Sequence, residues 1–366
     1  MRVLILVDAR FAIHERSLIE RMIVALANEG VAAQVVLPKD RGLEEHGFDL
    51  LAEPVWYADR GLSMTQNIRA RQVARQVVGD SNSSDNKVDI VHVFGGAAWS
   101  MGRELARVLD AGVVLEVWRA GMTDPAKAIS IDETDRVLFL VPERSFESRL
   151  VDAGFASRVH VAPWGAHVST DPVQIFREGK TIAIVLMSSG RQREQCIAAF
   201  EGIVDAMESN EDSMLFVNLE MVERTDLWAR VQRRGIEDRF TIIDRSEDRR
   251  DLLLRCDMMV YPDTLHEERT LLLDAMGAGM AVIAGNDEDI APIQESEGVY
   301  IVDRPTRAAW SEILIECLSN PDRTRIAGEK SREYVKGNRR VASSIASVID
   351  AYTGLCSQPA SIETES

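Results

Sequence analysis

Short runs dense in Val, Ile and Leu alternate along this chain with longer stretches in which apolar residues recur at helical spacing. The first run, VLILV (Val3 to Val7), leads through a loop to SLIERMIVALANEG, where Ser17 and Glu20 have capping-box spacing and Gly30 supplies the stop. AAQVVLP then reads as a second strand. VDIVHVF, GVVLEVW and DRVLFLV read as three more, with helices expected at about Met101 to Leu109 and Glu143 to Ala153, and RVHVAPWG adds a short strand ending in Pro-Trp-Gly. Runs that are apolar at nearly every position, rather than at every second one, are what parallel strands covered on both faces require.

A second series starts at Lys180. It runs TIAIVLM, a helix over Glu194 to Met207, SMLFVNLE, a helix over Asp226 to Arg234, RFTIID, a helix over Glu247 to Arg255, MMVYP, a helix over Glu267 to Ala278, AVIAG and VYIVD. Between the two series AHVSTDPVQIFREGK lacks periodicity and reads as an interdomain linker, and GDSNSSDNK (Gly79 to Lys87) reads as a polar loop. The pattern predicts an α/β fold of two Rossmann-like parallel-sheet domains facing each other across a cleft. They are residues 1–165, with a C-terminal helix over 339–352 packing back on them, and residues 180–338; residues 353–366 read as a disordered tail. Ligands of such folds sit at the carboxyl edges of the strands. A length of 366 residues suits two such domains.

Charge and cysteine usage narrow the chemistry. A formal net charge of −17 repels a phosphate backbone and argues against nucleic-acid binding. Cys196, Cys256, Cys317 and Cys356 stand far apart with no Cys-x-x-Cys pair, which reads as free thiols rather than a zinc site or a disulfide framework. The start MRVLILVDAR is unlike a signal peptide, and no apolar stretch of about 18 residues occurs, so the expectation is a cytoplasmic protein without a transmembrane segment. No Gly-x-Gly-x-x-Gly follows a first strand, which counts against a nicotinamide-dependent oxidoreductase.

Taken in order, VDIVHVFGG, RVHVAPWG, SEDRRDLLLRCDMMVYPD, LLLDAMGAGMAVIAGNDEDI and GVYIVD resemble glycosyltransferase family 4, the retaining nucleotide-sugar enzymes of GT-B fold, from Arg2 to about Tyr352. The resemblance implies a donor site in the second domain with two carboxylates eight positions apart, one on the sugar hydroxyls and one on the ribose. Alignment on AMGAG places His266 at the first position and Asp274 at the second, with Glu267 beside His266 as a stand-in carboxylate. The family's Gly-rich diphosphate turn corresponds here to Gly285, Asn286, Asp287, Glu288 and Asp289, one glycine followed by three carboxylates that would repel the diphosphate. The Asp-x-Asp within it reads as a solvated loop, and no metal site is expected. In MSSGRQREQ the family's Gly-Arg is replaced by Ser188 and Ser189, and Arg191 and Arg193 sit near the place of its lysine, where guanidinium groups suit phosphate.

The first domain departs further from the family. DARFAIHERS has no Gly-Gly turn and carries the bulky Phe11 and Ile13; Trp118, followed by Arg119, stands near the place of the family's histidine. His92, Gly95 and Gly96 complete the acceptor side, His92 at a strand's end and the glycines leaving room. Each of these positions also has a plain structural reading: a surface helix start at Arg191 and Arg193, a packed aromatic at Trp118, a satisfied buried histidine at His92. The expectation is a divergent retaining glycosyltransferase that moves a sugar from a nucleotide-diphosphate donor to an acceptor the sequence does not name, with no cofactor besides the donor. The alternative is a pseudoenzyme, a GT-B scaffold with a degenerate active site that binds a sugar, a nucleotide, a protein partner or a second copy of itself. Convergence of Arg191, Arg193 and Asp274 would favour the first.

Overall fold

The computed structural model describes residues 1–39, 53–58, 66–79, 87–132, 134–168, 170, 172–244 and 253–357. Most of the expected loop over 79–87, most of the expected helix over 247–255 and the tail beyond Ser357 lie outside the described residues. The chain divides into two compact units, Met1–Gly165 together with the segment from Val341 onward, and Ala166–Arg340.

In the first unit the strands are β1 (Arg2–Val7), β2 (Ala32–Pro38), β3 (Val55–Tyr57), β4 (Ile90–Phe94), β5 (Gly112–Glu116), β6 (Val137–Val141) and β7 (Val159–Val161). They form one sheet in the order β3-β2-β1-β4-β5-β6-β7 with every pairing parallel. In the second unit β8 (Ile182–Leu186), β9 (Ser213–Asn218), β10 (Phe240–Ile243), β11 (Met258–Tyr261), β12 (Ala281–Gly285) and β13 (Val299–Val302) pair in parallel in the order β10-β9-β8-β11-β12-β13. The apolar runs thus become central strands: Val3 through Val7, and Met258 through Val260, are wholly buried. In each sheet the direction of winding reverses once, between β1 and β4 and between β8 and β11. In doubly wound sheets these reversal points, at the carboxyl ends, are where ligands bind.

Several local expectations are corrected. The chain does not loop out of β1; a six-residue helix, Ala9–His14, starts at once, because the Asp8 carboxylate accepts the Phe11 N–H and caps it. The next helix, Arg16–Asn28, begins one residue before Ser17, so Ser17 and Glu20 lie inside it, Glu20 paired with Arg16 at 2.7 Å, and no capping box forms. The segment over 166–180 is more than a linker: Ile175 and Phe176 pack into the core of the second unit. The helix expected from Glu267 begins at Thr270, and two long helices that the sequence reading passed over, Arg307–Ser319 and Pro321–Asn338, precede the last one. That last helix, Val341–Cys356, outruns its expected end at Tyr352 and joins the first unit, touching β5 and β6. Among the described residues no helix is long and apolar enough to cross a membrane.

The small residues of AMGAG serve packing. A Cβ on Gly277 would lie 2.8 Å from the His167 carbonyl oxygen, while Gly279 takes φ +86° as the left-handed cap of its helix. The cysteines are all free thiols. Burial pushes the thiol of Cys196 up to about 11 and those of Cys256 and Cys317 to about 12, and Cys356 alone is exposed. Since the thiolate is the reactive form, a chromogenic disulfide reagent at about pH 8 should titrate one thiol in the native protein. All four should react in denaturant; a second fast thiol in the native state would contradict the packing.

Candidate functional site

At the reversal point of the first sheet the chain supplies its own anion. Asp8, directly after β1, is buried; one carboxylate oxygen accepts the Phe11 N–H at 2.8 Å and the other the Ala97 N–H at 3.3 Å. Gly95 (φ +91°) permits this, because a Cβ there would lie 2.0 Å from the Asp8 Oδ2. The Ala97 amide after β4 is therefore turned toward Asp8. Phe11 packs beside them, with ring centroids 5.0 Å from Phe94, 5.5 Å from Trp118 and 5.7 Å from Trp164. Trp118 is a packed aromatic, and both Arg119 and Arg10 lie over its ring, at 5.6 and 5.9 Å. A pocket of about 420 Å³ remains in front of this cluster, lined by Arg10, Gly96, Ala97, Arg119 and Met122 among others. Gly96 and Arg119 border this pocket, whereas Gly95, expected to leave room with Gly96, is closed off by Asp8.

His92 sits in the middle of β4, not at its end, and is fully buried. Its Nε2 lies 3.1 Å from Glu116 Oε2 and its Nδ1 2.7 Å from the Tyr352 hydroxyl, while the Trp164 indole N–H donates to Glu116 Oε1 at 2.7 Å. This places His92 in a polar network that fastens the C-terminal helix to the sheet.

The second sheet repeats the internal anion. Asp263, two residues past β11, accepts the Ser188 hydroxyl at 2.5 Å and the Ser189 N–H at 2.7 Å, so its carboxylate fills the turn after β8. Asn218 completes the enclosure by accepting the Ser188 N–H at 3.0 Å and donating to its carbonyl at 2.8 Å. Asp263 and Asn218 escaped the sequence reading, since nothing local marks a residue whose partner lies on another strand.

The two arginines after that turn diverge. The Arg191 guanidinium donates to the buried Glu267 carboxylate, joining the β8 and β11 edges. Arg193, at the start of the helix Arg193–Glu208, turns instead to the Thr225 carbonyl at 3.3 Å and to Asp226 at 3.8 Å. Neither pairs with Asp274, which lies inside the helix Thr270–Ala278, all of whose residues are buried. The expected convergence of Arg191, Arg193 and Asp274 is not formed; Arg191 pairs instead with Glu267, the carboxylate expected only as a stand-in.

The donor-loop positions also resolve. Gly285 is required by its neighbour, since a Cβ would lie 2.9 Å from both the Pro262 carbonyl oxygen and the Thr264 methyl; it does not free backbone for a ligand. The Asn286 side chain is taken up by Asp303 and Gln294, at 2.9 and 2.8 Å. His266, held at φ +54°, meets the acidic loop: its N–H donates to Asp287 Oδ2 at 2.7 Å, and its Nδ1 lies 2.8 Å from Asp287 Oδ1 and 3.0 Å from Asp289 Oδ2. The Asp-x-Asp segment is therefore not a solvated loop; Asp287 is buried, which raises its carboxyl above the usual range against the opposing pull of His266.

No family model matches the sequence, and no curated protein matches it. Among solved structures the chain is similar to a glycosyltransferase from Rickettsia africae ESF-5, at 14% identity over 98% of this chain and 99% of that one with a TM-score of 0.71. It is similar to HepE of Anabaena in complex with UDP-glucose, at 13% identity, 97% and 100% coverage and a TM-score of 0.72. It is also similar to sucrose-phosphate synthase from Thermosynechococcus elongatus, at 16% identity, 97% and 99% coverage and a TM-score of 0.70. At such identities the likeness establishes the fold alone: two parallel-sheet α/β units, the fold of the GT-B glycosyltransferases.

Proposed function

We propose that this chain is a divergent glycosyltransferase that takes a nucleoside-diphosphate sugar at the carboxyl edge of its second sheet and transfers the sugar with retention of configuration. The observation that carries the reading is the meeting of Arg191 and Glu267 at the reversal point between β8 and β11. A guanidinium there can take the diphosphate, the leaving group whose charge grows as the sugar departs, and a carboxylate there can hold sugar hydroxyls. Because the leaving phosphate can accept the acceptor's proton, the chemistry needs positioning and charge stabilisation more than a separate base. That HepE, similar in fold, binds UDP-glucose supports the reading.

Calorimetry with UDP, GDP and ADP tests it. Arg191→Ala should weaken nucleotide binding by about 10- to 100-fold, the worth of a charge-assisted contact, and Arg193→Ala should change it by less than about twofold. Anomeric NMR of the product then tests retention. Equal losses in the two variants, or no heat with any of the nucleotides at millimolar concentration, would overturn it.

The second reading, a scaffold without turnover, has its own support. Asp8 and Asp263 occupy the turns where a ligand's phosphate would sit, and Phe11, Trp118 and Trp164 fill space beside the first of them. On this reading no sugar is transferred from any donor, whether or not nucleotides give heat in the same titrations.

A further inference from the structure

We propose that His266, Asp287 and Asp289 form a binding site for one divalent first-row cation such as Mn²⁺. The three residues come from two segments, the end of the loop after β11 and the loop after β12, which the fold brings together across 21 positions of sequence. Their ligating atoms all lie within 4.8 Å of one another, with His266 Nδ1 2.8 Å from one carboxylate oxygen and 3.0 Å from the other. Ligands about 2.1 Å from a metal stand about 3.0 Å apart in octahedral and about 3.4 Å apart in tetrahedral geometry, close to the separations at which His266 already stands from both carboxylates. One imidazole with two carboxylates is a donor set that first-row divalent ions accept.

The burial is graded in the way an open coordination site requires. Asp287 is 2% exposed and anchored by the His266 and Asp289 N–H groups, whereas the His266 side chain is 49% exposed. Three protein ligands on the inner side leave the outer positions of the ion to a ligand from solution. A dication also weakens the charge argument against this loop. The three carboxylates of Asp287, Glu288 and Asp289 repel a diphosphate; with the ion held by two of them, most of that charge is offset and the ion's open positions face the diphosphate. This second step rests on the function proposed above, while the cation site rests on the triad alone.

The full chain, stripped with chelator and dialysed, is titrated with Mn²⁺ by calorimetry and by the loss of the free-ion electron paramagnetic resonance signal. One site per chain is expected. His266→Gly, which keeps the positive φ, and Asp289→Asn should each weaken it by about 100-fold, the upper end of what even outer-shell losses cost. Circular dichroism checks that both variants fold. No bound Mn²⁺ at millimolar concentration, or variants that bind as tightly as the parent, would overturn the site. A UDP titration with and without Mn²⁺ separates the two claims. Binding of UDP that needs Mn²⁺ and disappears in Asp289→Asn supports both, whereas Mn²⁺ binding with no UDP binding keeps the cation site and overturns the nucleotide reading.

Discussion

Replacing Glu116 with Ala should cost the first unit about 2 to 6 kcal/mol, because two buried donors are left without their acceptor. The network closes when His92 Nε2–H and the Trp164 indole N–H both donate to Glu116 and the Tyr352 O–H donates to His92 Nδ1, which satisfies every member. Burial holds the Tyr352 phenol well above its usual range, so it remains a donor at any ordinary pH. Without Glu116 two buried N–H donors lose their acceptor at about 1 to 3 kcal/mol each. A cavity of about 20 Å³ already lies beside His92, Glu116 and Trp164, room for about one water, so solvent can repair only part of the loss. Tyr352→Phe, which removes one hydrogen bond and no charge, should cost about 1 to 2 kcal/mol. Urea denaturation of both variants measures the difference. A Glu116→Ala midpoint at that of the parent would mean that the network does not hold the C-terminal helix in place.

Phe11→Ala should cost a comparable amount, about 3 to 5 kcal/mol, as buried Phe-to-Ala changes do. Phe11 is 1% exposed and edge-on to both Trp118 and Trp164, so its removal takes away aromatic contacts as well as volume. The tryptophan emission of the folded variant should shift as those indoles lose a neighbour, while Phe11→Leu should lose about 1.5 kcal/mol or less. An unchanged stability would show that the first sheet's edge is loosely packed and could admit a ligand where the aromatic cluster stands. Because Trp164 touches both Phe11 and Glu116, the double variant should depart from the sum of the two single costs.

Most strands were legible in the sequence because those covered on both faces must be apolar at nearly every position; the three-residue β3 was too short to show this and was not read. β1, β4 and β12 needed nothing beyond their own letters. Short helices were not legible: Ala9–His14 is set by Asp8, whose role as a cap depends on a chain reversal that no periodicity announces. The site was legible as a region and not as a constellation. Arg191 and Arg193 are two positions apart, yet one precedes the helix and the other opens it, which sends their side chains to different elements. His266 looked like a failed carboxylate, and Asp287 and Asp289 like solvated charge, because their relation spans two loops that only the pairing of β11 with β12 brings side by side. The glycines tell the same story: Gly285 answers to a carbonyl of Pro262 rather than to a ligand.

Asp8 and Asp263 give the two edges a shared kinetic character. Each is an incumbent, already seated on the amides or hydroxyls that an arriving phosphate would use. An anion seated on those same groups would have to trade places with a tethered carboxylate whose local concentration never falls. Capture on those groups would be an exchange rather than a filling of empty space.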